Sequence, residues 1–183
     1  MVRTLHHHEQ KLLKKVDFLS WKQDASLREV KILRRYHIQS RDDYHKYNKL
    51  AGSLKAFAHK IANLPSQDPF RARMQANLLS KLYDIGILNS SAKLSDVENK
   101  LTVAAFCRRR LAVFMCMSKM AETVSAATKF IEQGHVRVGP DTITDPAFLV
   151  NRHMEDFVTW VDTSKLKRTV MEYNDELDDF DLL

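Results

Sequence analysis

The chain has 183 residues, with 29 Lys+Arg against 23 Asp+Glu and a formal net charge of +6. That length holds one domain, or one domain plus a helical extension, and leaves too little chain for a large two-domain enzyme. With 44% apolar and 28% charged residues, 2 Cys, 4 Gly and 4 Pro, the composition is globular, and collagen-like, disulfide-scaffold and low-complexity classes are excluded. No apolar run approaches the ~18 residues that span a bilayer. The opening Met1–Gln10 lacks the hydrophobic core of a signal peptide, so the chain is expected to be made and kept inside the cell.

The charge is laid out asymmetrically. Residues 1–152 carry 26 basic and 14 acidic side chains, whereas residues 153–183 carry 3 and 9. The last nine, Asp175 to Leu183, include five acids and no base. A basic body favours a polyanionic partner, because neutralising phosphates releases condensed counterions. The acidic end is expected to meet a basic partner segment or solvent, and not nucleic acid.

The first 64 residues read as helical and basic, without internal repeats, although Lys11–Leu19 alternates charge and bulk irregularly. Ser40 and Asp43 resemble a capping box, and a helical pattern runs from Asp42 towards Leu64, where Pro65 stops it. Asp68-Pro69 supplies an N-cap acid and a first-turn proline. Phe70, Met74, Leu78, Leu82 and Ile85 then form one apolar stripe, closed near Gly86. Ser95–Glu98 reads as another capping box, opening a helix that reaches Phe106. Arg108-Arg109-Arg110 are read as part of one helix with Phe106, Cys107, Leu111, Phe114 and Met115. On such a helix Cys107 and Cys116 lie roughly 13 Å apart, too far for a disulfide, and reduced, buried thiols are expected.

Next, Thr123 is a credible N-cap for a short helix with Val124, Ala127, Phe130 and Ile131 inward, and Gly134 is placed to end it in the left-handed conformation. His135–Val138 alternates as a half-buried strand. Gly139-Pro140-Asp141 is a turn, Thr142-Ile143 a return strand, Asp145-Pro146 a break, and Phe157–Val161 a further strand. The fold class is therefore α+β, a helical N-terminal part followed by two short helices and a small β-sheet. Bases on the first of those helices and on the outward side of the strand make a compact electropositive surface. RNA suits it better than duplex DNA, because no long basic recognition helix or zinc-finger spacing is present.

Arg109-Arg110-Leu111, Met120-Ala121 and Phe130–Val138 together resemble the RNA-binding domain named after small-subunit ribosomal protein four, the S-four domain, with Ile143–Val150 as its proline-marked exit. Upstream, the resemblance to the ribosomal protein extends through Leu82–Leu88 and Asp68-Pro69-Phe70 to roughly Arg28. The opening His8–Phe18 and the segment Asn151–Asp162 with the acidic end depart from the ribosomal protein and resemble the U3 small nucleolar ribonucleoprotein branch of the family. The resemblance implies a division into residues 1–106, helical and basic; 107–162, the S-four domain; and 163–183, an extension with an acidic tail. It implies a nucleolar RNA-binding role in the small-subunit processome, with U3 RNA, precursor 18S ribosomal RNA, the M-phase phosphoprotein scaffold of the U3 particle and other processome proteins as partners, and no membrane.

The residues expected to touch RNA are Arg108, Arg109, Arg110, Lys119, Lys129, His135 and Arg137, with Arg152 a weaker candidate. Two departures from the family pattern bear on them. Many members carry glycine where Lys119 stands, and a lysine in the left-handed conformation is costly, so this helix end is expected to be rearranged with Lys119 projecting towards RNA. Arginines common in the second helix are replaced by Val124 and Thr128, which moves weight onto the other bases. Trp160 and Phe148 are read as core, while Tyr36, Tyr44 and Tyr47 could meet RNA or protein. His6-His7-His8 lack further ligands at metal spacing, so no metal and no cofactor are expected. No Gly-rich phosphate loop or nucleophile motif is present, so the chain is read as no enzyme, with no catalytic residue. The alternative reading is a structural small-subunit ribosomal protein binding 18S ribosomal RNA, against which the acidic end speaks.

Overall fold

The computed structural model describes residues 3–15 and 27–176. The acidic run from Leu177 onward and the Val16–Phe18 part of the opening motif lie outside those residues. Helix α1 (His7–Lys15) is followed by α2 (Leu27–Arg35), α3 (Arg41–Ala62), α4 (Pro69–Asp84), α5 (Leu94–Lys100) and α6 (Val103–Cys107). Then come α7 (Leu111–Met117), α8 (Val124–Glu132), strands β1 (Val136–Val138) and β2 (Asp141–Thr142), a 3-10 helix (Arg152–Phe157), β3 (Val158–Trp160) and α9 (Lys165–Tyr173). The mixed α+β class expected from the sequence is the one observed.

Short-range chemistry sets most of the helix ends. Ser40 Oγ accepts from the Asp42 N–H at the start of α3, and Asp68 accepts from the Phe70 N–H at the start of α4, where Pro69 occupies the first turn. Thr123 accepts from the Ala126 N–H and opens α8. Gly134, at φ +74°, ends it and lets the chain turn directly into β1. The second capping box sits two residues earlier than Ser95 suggests. The helix starts at Leu94 with Lys93 as its cap, and Asp96 reaches back to the Lys93 N–H at 2.9 Å. It stops at Lys100, because Leu101 is extended and fully buried, and α6 begins afresh after Thr102.

Two apolar clusters result. The larger, helical one holds Tyr47, Ala58, Ile61, Leu82, Val97, Leu101 and Phe106, with Tyr47 and Phe106 stacked at 5.9 Å. Tyr36 and Tyr47 are thus core residues, not surface ones. Within the α4 stripe Leu78 and Leu82 are buried, but Phe70 remains 56% exposed, because the first turn of α4 projects beyond the cluster. The second cluster gathers Leu111, Met115, Ala127, Ile131, Val136, Val150 and Val158, with Phe148 and Trp160 packed at its edge. It lies under a three-stranded antiparallel sheet of order β2-β1-β3, with Arg137 opposite both Thr142 and Thr159.

The chain crosses between the clusters at Cys107–Val113. Both cysteines are free; Cys107 is fully buried and Cys116 half-buried. Burial pushes the Cys107 thiol up from 9.0 to about 11, with the Arg110 charge opposing the shift. Because the folded value is raised, the native state loses stability as pH climbs from the unfolded value of 9.0 through about 11. Native-state alkylation at pH 8 is expected to modify Cys116 well before Cys107, read by peptide mass spectrometry. Equal rates would show that Cys107 is not sealed.

Candidate nucleic-acid interface

The three consecutive arginines do not lie on a helix. Arg108 caps α6, and Arg110, at φ −66° and ψ 140°, is the extended cap of α7. The Arg109–Leu111 backbone pairs with the exit segment of the hairpin. Leu111 N–H donates to Phe148 O and Val150 N–H donates to Arg109 O, each at 2.8 Å, around an Arg110–Leu149 bridge. The backbone passes from helical at Arg108 to extended at Arg110, so the three guanidinium groups meet three environments.

Arg109 and Arg110 go inward, which revises their expected role. Arg109 is 9% exposed; its Nε and Nη2 donate to Val150 O at 2.9 and 2.6 Å, and its Nη1 pairs with Glu155 at 2.7 Å. Arg110 is 2% exposed and donates through Nη1 to Asp43 at 3.1 Å and to the Tyr47 hydroxyl at 3.3 Å. Burial pushes the Tyr47 phenol up, and the Arg110 charge opposes it. A buried guanidinium already holding carboxylate or carbonyl oxygens has no face for a phosphate. These two side chains fasten the sheet domain to the helices.

Arg152 works in the same way. Its Nε and Nη2 donate to Tyr83 O and Leu88 O at 2.8 and 3.0 Å, and its guanidinium lies 4.3 Å from the Tyr83 ring centroid. His135 Nδ1 is 3.0 Å from Ser164 Oγ, which also caps α9 by accepting from the Leu166 N–H. Its contact is structural, tying the start of β1 to α9.

The remaining candidates stay outside. Arg108, Lys119 and Lys129 are exposed and form no ion pair among the described residues. Arg108 lines a polar hollow with Asn89, Ser91, Asp96 and Lys100, the last two paired at 2.7 Å. Lys119 takes φ +63° after α7. The helix end is therefore not rearranged. Met120 and Ala121 N–H close back onto Met115 O, holding the left-handed turn that glycine would take more cheaply, at about 1–2 kcal/mol for a lysine. Thr128 is buried and donates to Val124 O, so this stretch of α8 faces the core, while Lys129 beside it is exposed.

Arg137 is half-buried on the outer face of the sheet. Its Nε donates to Thr159 Oγ1 at 3.0 Å and its Nη1 pairs with Asp162 at 2.5 Å. Asp162 binds Lys167 at 2.5 Å as well, and that hydrogen bond, with the two cations, holds its carboxyl below the usual carboxylate range. Lys167 was not among the sequence candidates. Only the fold brings it to Arg137. No group of three or more His, Cys, Asp or Glu able to hold a metal occurs among the described residues, and no described helix is long and apolar enough to cross a membrane.

The helical half with the arginine turn, and the hairpin domain built on it, match two family profiles in series. The ribosomal protein S4/S9 N-terminal domain covers residues 4–108, and the S4 domain covers residues 109–156. The chain is 60% identical to the U3 small nucleolar ribonucleoprotein protein IMP3 of Saccharomyces cerevisiae, across 99% of both chains. It is 54% identical to the human protein of the same name, across 100% of this chain and 99% of that one. The chain belongs to the IMP3 family of S4-domain proteins. A small ribosomal subunit protein uS4, from Hyperthermus butylicus, is more distant at 29% identity over 83% of this chain and 85% of its own. The IMP3 matches run the full length of this chain, whereas the ribosomal one covers 83% of it. The S4 profile ends at residue 156, so β3, Asp162 and Lys167 lie beyond it.

Proposed function

We propose that this chain is an RNA-binding component of the U3 small nucleolar ribonucleoprotein, acting in the nucleolus on precursor 18S ribosomal RNA within the small-subunit processome. The observation that carries the reading is identity of 60% and 54% along the whole chain to U3 ribonucleoprotein proteins, against 29% to a ribosomal one. The chain has no enzymatic part in this reading. Residues 1–106 are the helical platform, 107–162 the RNA-binding domain, and 163–183 an extension whose acids face protein.

Mechanistically, the exposed Arg108, Lys119 and Lys129, with Arg137, meet phosphates of U3 RNA and precursor RNA. A cationic surface lowers the repulsion between two approaching RNA strands, and so favours their pairing without ATP. The M-phase phosphoprotein scaffold and other processome proteins occupy the faces left free.

In-cell crosslinking followed by sequencing of attached RNA tests this, comparing the parent with Lys119→Glu/Lys129→Glu. Recovery of U3 and precursor 18S RNA, reduced in the variant, is the expected result. Recovery of mature 18S RNA alone would identify a structural ribosomal protein instead. In vitro, Lys119→Ala/Lys129→Ala is expected to flatten the log K against log salt plot for single-stranded RNA by about 1.4, roughly 0.7 per lost phosphate contact. An unchanged slope would show that these lysines touch no phosphate.

A further inference from the structure

A groove opens between the left-handed turn and the C-terminal edge of the sheet, lined by Met120, Arg137, Val158, Thr159, Trp160 and Lys167. Its floor is apolar, with the Trp160 ring braced edge-on against Phe130 at 5.8 Å. Its lining is cationic at Arg137 from β1 and Lys167 from α9, and the exposed Lys119 directly precedes Met120 in the chain. One carboxylate stands between the two rim cations. Asp162 places one oxygen 2.5 Å from Arg137 and the other 2.5 Å from Lys167.

We propose that this groove is a nucleotide site for single-stranded RNA, in which a backbone phosphate takes the place of the Asp162 carboxylate between Arg137 and Lys167. The inference rests on the RNA-binding reading above and assigns that activity a site that joins Met120 and Arg137 of the S4 profile to Trp160 and Lys167 beyond its end. Two phosphate oxygens can bridge a guanidinium and an ammonium as two carboxylate oxygens do, and a phosphodiester brings its charge with the same charge-assisted hydrogen bonds.

The exchange is open to solvent. Asp162 is 56% exposed, Arg137 33% and Lys167 35%, so the internal pairs are of the weakly held, screened kind and Asp162 can swing away. Arg137 keeps Nη2 without an acceptor among the described residues, and Lys167 retains donors beyond its one bond, so both can bind an incoming oxygen before releasing the aspartate. The apolar floor then lies beneath the sugar and base, which every nucleotide offers regardless of sequence. An acidic peptide would satisfy the rim but not the floor.

The test uses the full chain carrying Trp21→Phe, which leaves Trp160 as the single indole, and a short fluorescein-labelled single-stranded RNA. Asp162→Asn is expected to tighten binding about threefold at moderate salt, because it removes the internal competitor, and Lys167→Glu to weaken it about tenfold. Trp160 emission is expected to fall on adding unlabelled RNA. Thermal melts of each variant matching the parent keep these readings independent of folding. If the parent binds no RNA, the functional reading itself fails. If the parent binds RNA but Asp162→Asn fails to tighten it, or Trp160 emission does not move, the groove assignment alone is overturned. A response of Trp160 to poly-glutamate and not to RNA would overturn it in favour of an acidic-peptide site.

Discussion

Arg110→Ala is expected to remove about 3–5 kcal/mol of unfolding free energy, read from the urea midpoint at unchanged slope. The guanidinium is almost fully enclosed, and the substitution leaves a cavity between the two clusters, an orphaned Tyr47 hydroxyl and an Asp43 carboxylate without its buried partner. Asp43 retains 19% exposure and a distant partner in Lys46 at 3.6 Å, which places the effect towards the low end of that range. Arg110→Glu sets two carboxylates against each other beneath the surface and is expected to abolish folding. A loss of RNA from such a variant would therefore report unfolding, not a missing contact. The decisive outcome is a parent-like melt for Arg110→Ala together with a tenfold loss of RNA affinity. That would put the arginine back on the RNA surface.

Gly86→Ala is expected to cost about 2–4 kcal/mol, measured in the same way. Gly86 sits at φ +83° after α4, where a side chain alone costs about 1–2 kcal/mol. A Cβ there would also stand 2.5 Å from Arg109 Cζ. Arg109 is not a free arm that can step aside, since all of its nitrogens are committed to Val150 O and Glu155. The substitution must therefore strain α4 or release the guanidinium from its carbonyl. Combining it with Arg109→Ala separates the two terms. The clash vanishes and the left-handed strain remains, so the pair is expected to be markedly less destabilising than the sum of the singles. Strict additivity would show that Gly86 matters only for its backbone angle.

Both predictions turn on residues whose surroundings were invisible in the linear chain. Helix starts at Ser40, Asp68 and Thr123, the glycine stop at Gly134 and the hairpin around Gly139 were legible, because a cap or a turn is settled by chemistry within four residues. The family was legible too, through the motif residues from Arg109 to Val138 and through the termini. The break at Leu101–Thr102 was not, because local capping favours a continuing helix and burial of Leu101 overrides it.

The arginine run shows the same division more sharply. Its residue types and its place in the motif could be read directly, and they mark a basic protein with an affinity for RNA. Which arginine is a surface charge and which a clasp depends on Asp43, 67 positions away from Arg110, and on Val150, 41 positions away from Arg109. The same holds for Lys167, which reaches Arg137 only through the shared Asp162. Periodicity and capping express interactions within a few residues, so they survive in one dimension. Desolvation of a charge depends on everything that packs around it, and that is set when distant segments meet.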